Sequence, residues 1–553
     1  MKRHNTFKVL GIVLLLVIIV SYFLTGRSGS IDYAGILDTV MNFFKSMYFF
    51  FYIVIFLLTV GGLYGVLSKT PAYKKLLDNI VSVVKPLGKK FLFVLIIVLA
   101  VISSFTGLVF PLALFLPLIG AIIILLGYDK LVAVSATVGS MIVGYMGGVF
   151  VTFINPNTNT LNTYETYVGL ESQFSNVFPK LLLLFAGIAL LIAFINSYIV
   201  RVENKKVKYE LDDDSSVVVN EVKADYKDLK VWPMAVTLCA LFVLLVLGAF
   251  PFGTLFNFTF FDSLNADFVN LTIGKILVRL VVGIVLFGLV NLVKWIICLI
   301  KKKKFEFKVG LPIWLSLIGL VLLEIFHVVD VADLYNVSFM RSFANAMSGN
   351  AFLDYTFFTK SIFSEFSAFG TWFSNGESYG YLNTSILVFI FMIIVAIVGK
   401  VKFDDVIDAS VEGVKKILPT VLITMMAYTV LVVAYTNGFI EQLITNYGKF
   451  NFGISSLLAL LGSIFTVDLY YIAAGVFSPI LELVTDESIS SSLAVLFQGI
   501  YGIFMILSPT SIVLLFAITY FDVPYTTWIK YIWRFILGLI ILLAFVILLI
   551  SLL

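Results

Sequence analysis

The stretch YGIFMILSPTSIVLLFAITYF, Tyr501 to Phe521, decides how this chain is read. It is apolar almost throughout and has the length of a membrane-spanning helix. Yet Ser508-Pro509-Thr510-Ser511 stands at its centre. Proline removes a backbone donor and clashes with the preceding turn, and hydroxyls at that depth have no water to bond. A helix interrupted there leaves carbonyls free at the end of one half and N–H groups free at the start of the other.

The rest of the chain fits a membrane setting. Aliphatic and aromatic residues make up 61% of its 553 residues and charged residues 13%, which is too apolar for a soluble protein. The net charge of +4 comes with lysines clustered beside apolar segments, so it signals no nucleic-acid partner. Cys239 and Cys298 both lie in apolar spans, which argues against a disulfide framework, a zinc site or an iron–sulfur site. The absence of a G-x-x-x-x-G-K-[ST] motif excludes an ATPase of that type. The opening MKRHNTFKVLGIVLLLVIIVSYFL has a long apolar run and is read as a retained helix, not a signal peptide.

Eleven apolar runs long enough to span lie near 8–25, 44–66, 132–154, 178–200, 232–250, 273–300, 311–329, 385–400, 417–436, 490–521 and 528–551. Two more stretches, 91–126 and 453–484, are too long for one span, and each is interrupted at its middle, by SSFTGLVFP and by SIFTVDLYY. Both read as re-entrant hairpins, a form allowed only where the tip is buried in protein or lines a cavity. Lys and Arg gather at the N-terminus, at 69–90, 201–230, 301–304 and 400–416, and at Lys530 and Arg534. With two re-entrant hairpins every one of these clusters falls on the cytoplasmic side. The N-terminus is then cytoplasmic and the C-terminus extracytoplasmic. The run Lys301–Lys304 is a headgroup anchor, and Glu324, His327 and Asp330 are read as a solvated helix end instead of a metal site.

The order of elements repeats. Residues 1–200 contain a helix, an amphipathic segment, a span, a second amphipathic segment (PAYKKLLDNIVSVVKP), the hairpin 91–126, the broken helix 132–165 and a last span. Residues 385–553 repeat that order, with FDDVIDASVEGVKKIL, the segment at Phe439, the hairpin 453–484 and the broken helix 490–521. Between them lie a cytoplasmic loop at 201–231, three connecting spans at 232–329 and an aromatic-rich extracytoplasmic loop at 330–384. Three intervening spans invert the second copy. The fold expected is an all-α polytopic membrane protein, with about 11 transmembrane helices and two re-entrant hairpins. Inverted repeats with interrupted helices are the architecture of secondary transporters.

In that architecture, tips and breaks form the site. At tip one stand Ser103, Ser104, Thr106 and Gly107, expected to face Asn155, Asn157 and Thr158 at break one. At tip two stand Ser463, Thr466 and Asp468, expected to face Ser508, Thr510 and Ser511 at break two. Free carbonyls with Ser, Thr and Asn oxygens suit a small hard cation such as Na⁺. Free N–H groups and the positive helix end suit a carboxylate. For Asp468 two roles are open. A carboxylate at that depth costs roughly 2.5–3.5 kcal/mol on insertion scales and usually marks a path for ions or protons; alternatively it caps the half-helix that follows.

The segments GLYGVLSKTPAYKKLLDNI, GYDKLVAVSATVGSMIVG and SPTSIVLLFAITYFDVPYTTWIKYIWRFIL resemble the C4-dicarboxylate anaerobic carrier family, especially its YfcC-type amino-acid antiporters. The most specific piece is the Pro-Thr-Ser break followed by V-P-Y-x-x-W-[IL]-K, carried by Pro509, Thr510, Ser511, Val523, Pro524, Tyr525, Trp528, Ile529 and Lys530. Asn155-Pro156 resembles the family's other break. The tips GLVFP and VDLYY depart from the small Gly/Ser-rich tips usual there. The resemblance implies an elevator-type transporter of the ion-transporter superfamily, in the bacterial inner membrane, working as a homodimer. It carries a small carboxylate-bearing solute (amino acid, peptide or dicarboxylate), driven by ions or by exchange, with no cofactor beyond a coupling Na⁺. The alternatives are a membrane-embedded enzyme or lipid-handling protein using Asp468 as acid or base, and a passive channel.

Overall fold

The computed structural model describes residues 3–28, 36–109, 111–155, 158, 161–172, 174–205, 229–249, 273–300, 310–325, 381–436, 451–464, 467–484, 486 and 489–552. Asn157 and Thr466, the Phe439 segment, His327, Asp330, Lys301–Lys304 and most of the loops 201–231 and 330–384 lie outside these residues. Seven helices among the described residues are long and apolar enough to cross a membrane. The chain divides into two compact units, Met1–Leu247 with Tyr379–Leu553, and Gly248–Ser378.

The first unit begins with α1 (Arg3–Ser28), α2 (Ile36–Phe49), α3 (Phe51–Lys69) and α4 (Pro71–Val84). Pro71 starts α4 at the first helical position, where its missing N–H costs nothing. Ala72, Tyr73, Leu76 and Leu77 are buried on one face, as amphipathic spacing requires. Then come α5 (Lys89–Thr106) and α6 (Leu116–Leu125). Between them Gly107, at φ 67°, ends α5 with its N–H on the Ser103 carbonyl, a left-handed cap that glycine takes without a Cβ clash. The chain continues as α7 (Lys130–Val134), one π turn (Ser135–Gly139) and α8 (Ser140–Met146).

Here the structure departs from the broken helix expected over 132–165. The helix stops at Met146, before the Asn155-Pro156 turn, and the chain forms an antiparallel pair, β1 (Thr152–Ile154) and β2 (Leu161–Thr163). Asn155 and Thr158 lie on the connection between the strands. Gly147-Gly148 disfavours further helix and the β-branched run after it favours extended backbone. Among the described residues the fold is therefore helical with one small β-hairpin. The short α9 (Tyr164–Tyr167) follows, started by a capping box from Thr163 and Thr166. Then come α10 (Val177–Lys205) and α11 (Trp232–Ala249).

In the second unit α12 (Ile273–Ile300) and α13 (Gly310–Ile325) pack on each other. The first unit resumes with α14 (Tyr381–Val398) and α15 (Phe403–Thr436). The amphipathic segment at 403 and the span at 417 are one continuous helix with Pro419 inside it; neighbouring helices make such a proline tolerable in a membrane. Next are α16 (Phe452–Ser463), α17 (Leu469–Ile472), a π turn (Ala473–Phe477) and α18 (Ser478–Glu482). The chain closes with α19 (Ser490–Leu507), α20 (Ile512–Tyr520) and α21 (Tyr525–Leu552).

Within the first unit the contacts form two groups. One is built on α3 and α15, joined by α1, α2 and α14. Helices α3 and α15 approach so closely that a Cβ at Gly65 would strike the Ala409 carbonyl and one at Gly413 the Gly61 carbonyl. Gly61-x-x-x-Gly65 is thus a small-residue contact of the kind that brings membrane helices together. The other group joins α5, α8, α10, α19 and α21, and it carries break one and the carbonyl half of break two, whereas α20 packs on α15.

Candidate functional site

Break two is asymmetric. The four carbonyls that end α19 are all taken. Ser508 N–H donates to Phe504 O at 2.7 Å. Ser511 Oγ donates to Met505 O at 2.7 Å, Trp528 Nε1 to Ile506 O at 3.0 Å, and Tyr525 OH to Leu507 O at 2.6 Å. The family-like Tyr525-x-x-Trp528 therefore has a physical task, which is to seal the carbonyl end of the break from the first turn of α21. Trp528 is fully buried.

The other end is open. Helix α20 has Ser511 at its cap position with no side-chain cap. Among the described residues, the N–H groups of Ile512, Val513 and Leu514 have no acceptor, and Val513 and Leu514 are buried. The half-helices nearby are treated differently. Asp468 caps α17 by accepting from Tyr470 N–H at 3.2 Å, and Thr163 caps α9. Three unpaired donors at a positive helix end, in an apolar surround, attract an anion.

Beside this end lies a compact oxygen cluster. Ser508 Oγ is 2.8 Å from Thr510 Oγ1, and both bond the Ile464 carbonyl at tip two, at 2.9 and 3.2 Å. Ser508 and Ser511 are fully buried and Thr510 nearly so. Tip two and break two thus meet through Ile464, with the buried Ser463 spending its hydroxyl on its own helix at Ala459 O.

Break one is sealed by the same logic. Ser103 Oγ donates to Met141 O at 2.6 Å and Ser104 Oγ to Gly147 O at 3.0 Å. Gln498, fully buried on α19, donates through Nε2 to Tyr145 O at 2.7 Å and Gly148 O at 2.8 Å. Thr106 bonds back to Ile102 O, and Gly107 lies against Val151. Tip one therefore meets the break at Gly147–Val151, and its hydroxyls bond to Ile102, Met141 and Gly147. Asn155 is buried and Thr158 exposed. The expectation of free carbonyls is corrected for these groups: at break two the break's own Ser508 and Ser511 and the α21 side chains Tyr525 and Trp528 take them, and at break one Ser104 and Gln498 take those of Tyr145, Gly147 and Gly148.

Asp468 has the geometry of a cap. Besides Tyr470 N–H, its carboxylate accepts from Tyr428 OH on α15 at 3.4 Å, and Phe50 stacks on the Tyr428 ring with centroids 3.7 Å apart. Tip two is thereby tied to the helix group built on α3 and α15.

Sequence reasoning did not single out Gln498, the sealing role of Tyr525 and Trp528, or the buried ion pair of Glu165 and Lys180, with Oε1 and Nζ 2.7 Å apart. A lone amide inside the apolar run of α19 was the available signal for Gln498. Tyr145 OH and Tyr164 OH, 2.9 Å apart, and Tyr167 OH, 2.6 Å from Ser478 Oγ, join α9 to α8 and α18. Tyr525→Phe should leave the Leu507 carbonyl buried and unpaired, at about 1–3 kcal/mol. A lowered unfolding midpoint of the detergent-purified variant is the expected result; an unchanged one would show that the carbonyl finds another donor.

The long apolar helices among the described residues define a multi-pass membrane protein. Residues 7–294, more than half of the chain, match the family model described as C4-dicarboxylate anaerobic carrier. The chain belongs to that family and is a membrane transport protein. No curated protein and no solved structure matches it.

Proposed function

We propose that this protein is a secondary active transporter of a C4-dicarboxylate or a similar small carboxylate-bearing solute, driven by Na⁺ or H⁺ or by exchange. The observation that carries this reading is the asymmetry of break two, with its carbonyl end sealed and its N–H end open. A solute carboxylate would sit on the N–H groups of Ile512–Leu514. Ser508 Oγ, Thr510 Oγ1 and the Ile464 carbonyl are hard oxygens suited to an accompanying cation beside it. The carrying step would move the group of α5, α8, α10, α19 and α21 against the group built on α3 and α15, in an elevator manner. The setting proposed is the bacterial inner membrane, with the N-terminus cytoplasmic, the C-terminus outside and the protein a homodimer.

The test is uptake of labelled succinate into proteoliposomes under imposed Na⁺, H⁺ or succinate gradients. Accumulation above equilibrium is expected. Mere equilibration would indicate a channel, and a chemically changed solute an enzyme. Thr510→Ala removes one oxygen from the cluster and should cut uptake several-fold and flatten any Na⁺ dependence. Full uptake with unchanged ion dependence would make the cluster a packing feature only.

A further inference from the structure

Away from both breaks, α10 and α21 enclose a cavity of about 470 Å³. Three cations line it, Arg201 at the end of α10 and Lys530 and Arg534 in the first turns of α21. Among the described residues no carboxylate pairs with any of the three. Asp129 takes Val132 N–H on one oxygen and the OH of Tyr198, a residue of the cavity wall, on the other. Glu203 is committed to Lys89. The Arg534 guanidinium lies 5.3 Å from the centre of the Trp533 ring.

The remaining wall is apolar, with Leu190, Phe194, Phe535 and the small Gly538 among its residues. Gly538 leaves the groove open, since a Cβ there would only touch Leu190. The cavity runs out onto an exposed apolar stripe of α21, Trp533, Leu537, Ile541 and Phe545. Positive charge with no carboxylate partner among the described residues, beside an apolar groove, is the pattern of a phospholipid headgroup site between membrane helices. Aromatic rings at the same level suit the headgroup boundary.

We propose that this cavity binds the phosphate of an anionic glycerophospholipid, with the acyl chains lying along the Leu537–Ile541 stripe. A soluble dianion would match the charges and leave the apolar half of the groove unused, so the lipid satisfies both halves. The site is separate from the solute site at break two. A lipid held there would brace α10 against α21, two members of the helix group that includes α8 and α19.

The test uses the full-length protein in detergent, titrated with phosphatidylglycerol, phosphatidylcholine, inorganic phosphate or succinate while its thermal unfolding is followed. Phosphatidylglycerol should raise the midpoint by several degrees and the other three should not. Arg201→Gln/Lys530→Gln/Arg534→Gln should weaken the phosphatidylglycerol effect at least tenfold in concentration while unfolding like the parent in phosphatidylcholine. If that triple variant folds poorly, Gly538→Leu, which fills the groove and leaves the charges, should give the same weakening. Equal protection by phosphatidylcholine, full protection by inorganic phosphate, or an unaltered response of Gly538→Leu would each overturn the proposal.

Discussion

Ile512→Pro should weaken binding of succinate by about 10- to 150-fold and leave the fold intact. Ile512 is the first residue of α20, a position where proline is accepted because its N–H has no helical acceptor in any case. Ser511, just before it, sits at φ −69° and ψ 115°, extended backbone that a following proline requires. The substitution therefore removes one of three candidate donors and asks for no backbone change. A hydrogen bond to a charged group contributes about 1.5–3 kcal/mol, which sets the expected range. Ile512→Ala is the control. It trims the half-buried side chain and keeps the N–H, so it should bind close to the parent. Calorimetric titration of the two purified variants with succinate decides the matter. Equal affinities for Ile512→Pro and Ile512→Ala would mean that the carboxylate does not rest on this helix end.

Break two was legible in the sequence because a proline and three hydroxyls inside an apolar run have few other readings. The order of spans was legible from hydropathy for the same reason: apolar length in a membrane admits little else. Break one was misplaced because two signals competed. Asn155-Pro156 is a strong turn dipeptide, and Val149 to Ile154 is apolar enough to read as helix. Hydropathy does not distinguish a short buried strand from a helical turn, so the helix end at Met146 was missed. What seals the breaks was not legible at all. Gln498 reaches Gly148 across 350 positions of sequence, and Trp528 reaches Ile506 across 22. Such partners are fixed by tertiary packing. Carbonyls that look free along one helix are satisfied from another. The N–H end of α20, by contrast, has no cap among the described residues.

The second large effect concerns Glu165 and Lys180. In the structure both are buried, at 0% and 1% exposure. Asn176 lies between them and α19, its Nδ2 3.5 Å from Glu165 Oε1 and 3.2 Å from Ser491 O. Glu165 Oε2 has no hydrogen-bond partner among the described residues. Removing one member of a buried ion pair leaves the other charged and unsolvated, at about 3–5 kcal/mol, whereas replacing both by apolar residues is often neutral or stabilising. Glu165→Leu and Lys180→Met should therefore each lower the unfolding free energy of the purified protein by about that amount. The double variant Glu165→Leu/Lys180→Met should recover most of the loss, because neither side chain then carries charge into the interior. If the pair only anchors α9 to α10, the double variant should also recover succinate uptake along with its stability. Losses that simply add in the double variant would show that the two residues act separately and that the 2.7 Å contact is not what holds this part of break one in place.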